Sequence, residues 1–276
     1  MITLKRFAAL LSILLIPALL GGCFTVDIKI PEGEAPLPTA ADAPQTTAGT
    51  ATLPAEASAA PAGDVTAMTT ADQLRYFNAA VNRIKAERAG FTKSKLTATK
   101  DITLSNSLAN SLVGLVKGAL LSEDAVQTVV QPGENSDAVM SPYNVPFVSG
   151  LTEADVDRIE VAPAGGGYTI TVHVKGETNP AAEGSVCSRI FEFITVDDVV
   201  STYAPKVGAE VAREDIEVVF SDCWAKATVD AAGTVTAYET FVQGTMNLKN
   251  AKIRIITTDV SVVLASTTTY TDFRFS

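Results

Sequence analysis

The sequence predicts an α+β domain: a curved antiparallel β-sheet meander with two or three helices packed on one face, following a disordered tether. Three observations predict it. Residues 31–70 are dominated by Ala, Thr and Pro, with too little apolar bulk to offset the entropy of ordering. Two later segments, Asp72–Glu87 and Asn106–Leu121, carry apolar side chains at helical spacing. From Asp215 to the end, short segments alternate apolar with polar residues. Their connections are too short to hold crossover helices, which favours an antiparallel meander over a doubly wound sheet.

Composition narrows the function classes. The chain has 276 residues and a formal net charge of -10, with a sequence pI near 4.7. Nucleic-acid binding needs clustered Lys and Arg, so nucleic acid is not an expected partner. One His and three Cys leave few metal ligands.

The N-terminus reads as an export signal. Lys5 and Arg6 precede an apolar run, Phe7 to Leu20, interrupted by Pro17. A membrane-spanning helix needs about 20 apolar residues, so the run is a signal-peptide core rather than a span. It ends in Leu20-Gly21-Gly22-Cys23, which resembles the lipobox of bacterial lipoproteins. That resemblance implies cleavage before Cys23 and a diacylglycerol thioether on it, with acyl chains as the membrane anchor. The alternative is an ordinary secretory signal with a chance Cys. The expected organisation is a signal peptide over 1–22, lipidated Cys23 and tether over 23–70, and one α+β extracytoplasmic domain over 71–276. The tether holds six of the thirteen prolines and only acidic charges between Pro31 and Thr70. Its span is about 35 Å as a coil and about 120 Å as polyproline II, enough to lift a domain off a membrane. A glycosylated Thr-rich stalk is the other reading of this composition.

The folded part is expected to open with a helix over Asp72–Glu87. Leu74, Phe77, Val81 and Ile84 form its apolar stripe, Arg75, Asn82 and Lys85 lie elsewhere on the wheel, and Gly90 is its stop. In Asn106–Leu121 the apolar face contains Leu108, Leu112, Leu115, Val116, Ala119 and Leu120. Gly114 and Gly118 stand four apart there, but the run is short and carries Lys117. Close packing in a soluble core therefore fits better than membrane dimerisation. Gln131–Gly150, with three prolines, reads as loop. Thr152 and Asp155 resemble a capping pair opening a short helix, Glu153–Arg158. Gly165-Gly166-Gly167 turns into a strand in which Tyr168, Ile170, Val172 and Val174 alternate with Thr169, Thr171, His173 and Lys175. Val186–Tyr203 reads as helix, or as helix followed by a turn. Six strands follow: Asp215–Phe220, Cys223–Val229, Thr234–Val242 after the turn Asp230–Gly233, then Ala251–Thr257, Asp259–Leu264 and Thr267–Phe275.

Strand alternation places Ile170, Val172 and Val174 on one buried face, with Ala225, Ala227, Val229, Ile253, Ile255, Val260, Val262, Leu264, Phe273 and Phe275. It places Trp224 and Tyr238 among threonines on the opposite face, as a candidate contact surface. The two helices are expected to fill the buried side and leave no room for an acyl chain.

No familiar catalytic pattern occurs. P-loop, G-x-G-x-x-G, H-E-x-x-H and G-x-S-x-G are absent, and no Ser stands three residues before a Lys. The triple glycine precedes a strand rather than a helix, so it is a turn and not a phosphate cradle. His173 falls on the polar strand face. Glu153, Asp155 and Asp157 lack the glycine of a calcium loop. No catalytic or metal-binding residue is assigned, and no cofactor is expected beyond the lipid on Cys23. With Cys23 lipidated, Cys187 and Cys223 remain, and an extracytoplasmic compartment permits their disulfide. Two buried thiols are the alternative.

The order of elements, with "YTITVHVKGETNP" at Tyr168–Pro180 and "DCWAKATVDAAGTVTAYE" at Asp222–Glu239, resembles a group of bacterial lipobox lipoproteins of the Gram-positive type. The strand–Asp–Gly–strand unit is also similar to half-barrel lipoproteins of the LolA/LppX type, which implies an apolar concavity for lipid. Three functions follow as expectations. The first is a non-catalytic, lipid-anchored binding or scaffold domain on the extracytoplasmic side of the cell membrane (of the outer membrane where there are two). The second is a carrier or sensor that holds a hydrophobic ligand between sheet and helices. The third is an envelope hydrolase using carboxylates.

Overall fold

The structure is a computed structural model and describes residues 64–106, 113, 114, 117 and 125–275. Cys23, the expected signal peptide and most of the expected tether lie outside the described residues. The described residues form an open, mostly antiparallel sheet of nine strands with few helices.

Chain order begins ahead of the expected start at residue 71. Asp64 caps a single turn, Val65–Ala67, and Val65 is fully buried in the core. Helix α1 (Thr70–Ala86) follows. Thr69 caps it, its hydroxyl accepting from the Asp72 amide and donating to the Asp72 carboxylate. Leu74, Phe77, Val81 and Ile84 are buried, as their spacing requires. Gly90 is not the stop. The left-handed residue after the helix is Arg88, at φ 47°. Gly90 is needed for another reason: a Cβ there would lie 2.6 Å from the Pro132 ring.

Strand β1 (Gly90–Leu104) pairs with β2 (Val126–Val130) on one side and with the last strand on the other. Of the expected second helix only Val113, Gly114 and Lys117 are described; they are helical, and Val113 packs on the core. The segment over Glu153–Arg158 is a turn and not a helix. Thr152 and Asp155 do pair, but the Asp155 carboxylate folds back onto the Thr152 amide and hydroxyl and releases the chain into β3 (Val156–Ala164). A glycine turn, with Gly165 and Gly166 left-handed at φ 57° and 88°, leads to β4 (Gly167–Val174). A Cβ at Gly167 would sit 2.0 Å from the Val229 carbonyl oxygen, so only glycine fits.

Two-residue strands β5 (Glu177–Thr178) and β6 (Ala209–Glu210) flank a covering segment. Within it, Val196–Asp198, a π-helical turn over Val199–Tyr203, and Ala204–Lys206 run on as one short helix, α2 (196–206). The expected helix over Val186–Tyr203 is thus only its second half. The six expected terminal strands are three long ones: β7 (Ile216–Val229), β8 (Val235–Ile253) and β9 (Ile256–Arg274). Irregularities at Phe220/Asp222 and Leu248/Ala251 interrupt the alternation without ending the strands. The sheet order is β2-β1-β9-β8-β7-β4-β3, with β5 beside β7 and β6 beside β8.

One face of this sheet is the core. Ile170, Val172, Ala225, Ala227, Val229, Ile253, Val260, Val262 and Leu264 are buried, as alternation requires, and Phe273 and Phe275 are partly buried. Ile255 is an exception at 94% exposure, because it lies at the tip of the β8–β9 hairpin. Loop 131–151 and segment 185–207 add to the cover. Asn82 and Lys85, expected outside the stripe of α1, are both buried because they fasten this loop. The Asn82 side chain accepts from the Val148 and Ser149 amides at 2.8 Å and donates to the Ser149 carbonyl at 2.9 Å. Lys85 Nζ donates to the Ser141 carbonyl at 3.1 Å, with Asp137 at 3.7 Å.

Two outcomes are expected. Phe77→Ala should destabilise the domain by about 3 kcal/mol or more in chemical denaturation, as for a fully buried aromatic. Trp224→Ala, on the other face, should cost about 1 kcal/mol; equal losses would mean the two faces are wrongly distinguished. Burial lowers the Lys85 amine from 10.5 to about 8. Folding therefore carries a penalty below pH 8 that is relieved as pH rises towards 10.5, since the unfolded chain binds the extra proton. Relative to Lys85→Met, the unmutated protein should gain about 2 kcal/mol between pH 7 and pH 9.5. A gap that stays constant with pH would show that the amine titrates alike in both states.

Candidate binding sites on the two faces of the sheet

The outer face carries Trp224 but not Tyr238. Trp224 on β7 faces Phe241 on β8, with the rings stacked 5.5 Å apart at 16°. Lys226 Nζ lies 5.2 Å from the Trp224 ring centroid and is ion-paired to Glu239. On the other flank, β4 places His173 opposite Trp224. Its Nε2 is 3.2 Å from Arg158 and 3.4 Å from Glu160. The Arg158 hydrogen bond holds the Glu160 carboxyl below its ordinary range. Phe241 was not singled out in the sequence, because Phe241 and Val242 are adjacent and only pairing decides which one faces out.

Tyr238 belongs to the core. The β7–β8 register sets it opposite Ala227, on the buried face, 5.3 Å from the Tyr270 ring. Between Val235 and Thr240 no strong apolar alternation marks the faces; the turn at Asp230–Gly233 and the shift at Thr228/Val229 set them. The Tyr238 hydroxyl is buried without a hydrogen-bond partner among the described residues. Burial pushes its pKa far above the ordinary tyrosine range.

The acidic trio is not a cluster. Asp155 is buried and bound by Arg189 at 3.1 Å, which ties the cover to the start of β3, while Glu153 and Asp157 are exposed. No group of three or more His, Cys, Asp or Glu side chains is arranged to hold a metal ion among the described residues. Among the same residues no helix is long and apolar enough to cross a membrane. Cys187 and Cys223 are brought together as buried, unbridged thiols. Their mutual hydrogen bond, then burial, raises the Cys187 thiol far above its ordinary range.

The inner face holds a cavity of about 130 Å³. Val242 and Met246 on β8 and Leu264 on β9 are its floor, and Phe193 and Tyr203 from the cover close it. Gly244 lets the Phe220 ring lie across its strand, where a Cβ would come within 2.8 Å. Lys95, Thr97, Glu192 and Ser266 make a polar end. Lys95 Nζ donates to Glu192 at 2.7 Å, and Lys93 contacts the same carboxylate and donates to the Val139 carbonyl at 2.7 Å. Burial pushes the Glu192 carboxyl up, and Lys95 and Lys93 together outweigh it, leaving it below the ordinary range. A smaller apolar cavity of about 20 Å³ adjoins, sharing Tyr203 and Met246. Sequence reading missed this site because β1 turns Lys93, Lys95 and Thr97 inward, where alternation alone looks for apolar residues. An apolar body with one charged end suits non-covalent capture of a small amphipathic molecule.

Tyr238→Phe should stabilise the domain by about 1 kcal/mol, because it removes a buried hydroxyl that makes no bond. A loss of stability in urea titration would reveal a partner for that oxygen. No protein-family model, curated protein or solved structure matches this chain.

Proposed function

We propose that the chain is a lipid-anchored, extracytoplasmic binding module of the cell envelope, which takes a small amphipathic ligand into the cavity between sheet and cover. In this reading a disordered tether carries a curved sheet whose helices gather on one face. The observation that carries the ligand-binding part is the cavity itself: an apolar floor ending at Lys95 and Glu192. A dry cavity of about 150 Å³ accepts benzene, so this one is sized for a small molecule rather than a whole lipid acyl chain. Leu20-Gly21-Gly22-Cys23 supports the anchor. A scaffold role through the outer face is a second reading, favoured by the exposed-side Trp224–Phe241 stack with its paired Lys226 and Glu239.

The anchor and the ligand are tested on one preparation. The unmutated protein should fractionate with membranes, and Cys23→Ser should not, because about 0.8 kcal/mol per buried CH₂ is lost with the acyl chains. Native mass spectrometry of the membrane-extracted protein should show a small retained ligand; consistent bare mass would sink the binding role. In the same compartment the adjacent Cys187 and Cys223 should form a disulfide, closing a loop worth about 3 to 4 kcal/mol in the entropy model. Non-reducing peptide mapping that finds both thiols free to alkylate after denaturation removes that part.

A further inference from the structure

We infer that the polar end of the inner cavity is a carboxylate receptor, and that its ligand is a small monocarboxylate with its chain lying towards Met246. This deepens the cavity reading proposed above and rests on it.

Lys93 and Lys95 come from one strand and stand opposite Tyr270 and Thr268, on the inner face. Both meet a single carboxylate, Glu192. Lys93 also donates to the Val139 carbonyl, and its side chain is only 10% exposed. Lys95 lines the cavity and keeps 32% of its side chain accessible. Two ammonium groups against one carboxylate leave a local excess of positive charge, within a chain whose net charge is -10. Glu192 therefore shows what the site accepts: a carboxylate, reaching in from the cover, already seated on Lys95. A ligand carboxylate would share or take that amine. A cationic head would meet two lysines, and a neutral head could accept a hydrogen bond from Lys95 but would forgo the attraction between opposite charges.

The body of the ligand follows from the rest of the lining. Val242, Leu264 and Met246 offer no hydrogen-bonding side chain, and the volume is close to that of a benzene-sized cavity. The adjoining apolar space beyond Tyr203 and Met246 extends the site away from Lys95. A chain of about six carbons, the carbon count of benzene, running from Lys95 towards Met246 is the length this space suggests.

The test is calorimetric titration of the full chain carrying Cys23→Ser with hexanoate, hexan-1-ol and hexylamine. Hexanoate should bind about tenfold more tightly than hexan-1-ol, the added strength that a charged acceptor gives the bond to Lys95, and hexylamine should not bind measurably. Glu192→Gln should tighten hexanoate and leave hexan-1-ol unchanged, because a competing carboxylate is gone. Met246→Trp should abolish binding of both. Equal affinity for acid and alcohol, or equal weakening of both by Glu192→Gln, overturns the carboxylate assignment while the cavity reading stands. Preference for the amine also overturns it. No binding by any of the three, or binding that survives a folded Met246→Trp, removes the cavity reading and this inference with it. The ranking on the chain with Glu192 and Met246 intact does not depend on either variant folding.

Discussion

The domain depends on a cover whose loops are fastened by buried polar side chains. A one-sided sheet must hide its apolar face, and α1 reaches only part of it. Among the described residues, loop 131–151 and segment 185–207 cover more of it, and their backbone groups cannot be left unpaired once buried. Asn82 solves this for Val148 and Ser149 with one amide, making three hydrogen bonds. Ser141 donates to the Val148 and Ile190 carbonyls, at 2.8 and 3.0 Å, and so joins the two covering stretches. Lys85 and Lys93 add an ammonium each to the Ser141 and Val139 carbonyls. Helix, loop and cover are thereby one interlocked layer.

This arrangement explains the polar patch inside an otherwise apolar space. Segment 185–207 leaves a cavity where Phe193 and Tyr203 meet the floor. The same cover carries Glu192, which needs cations, and β1 supplies them by turning Lys93 and Lys95 inward. The ion pairs hold cover to sheet and at the same time create the charged end of the cavity. One set of side chains thus serves closure and, in the proposed reading, recognition. The outer face is built differently. Its threonines, the Trp224–Phe241 stack and the Lys226–Glu239 pair are cross-strand contacts within the sheet, each of modest worth.

The sequence alone determined much of the frame. The helix stripe Leu74–Phe77–Val81–Ile84, the glycine turn into Tyr168–Val174, the Asp230–Gly233 turn and the buried face of β4, β7 and β9 follow from local rules: period, turn chemistry and alternation. Tertiary structure decided the remainder. Whether Ser221 and Asp222 end a strand or bulge within it depends on the partner strand, so six short segments became three long strands. The face taken by Tyr238 depends on register with Ala227, which no neighbour in sequence encodes. Asn82 and Lys85 read as solvent-facing until loop 131–151 is laid over them. β1 was unreadable because its inward positions after Phe91 are Lys93, Lys95 and Thr97, and the carboxylate that both lysines meet, Glu192, lies about a hundred residues away along the chain. Local pattern reports which residues avoid water by themselves. It cannot report polar residues buried in pairs, because their partners are brought by the fold.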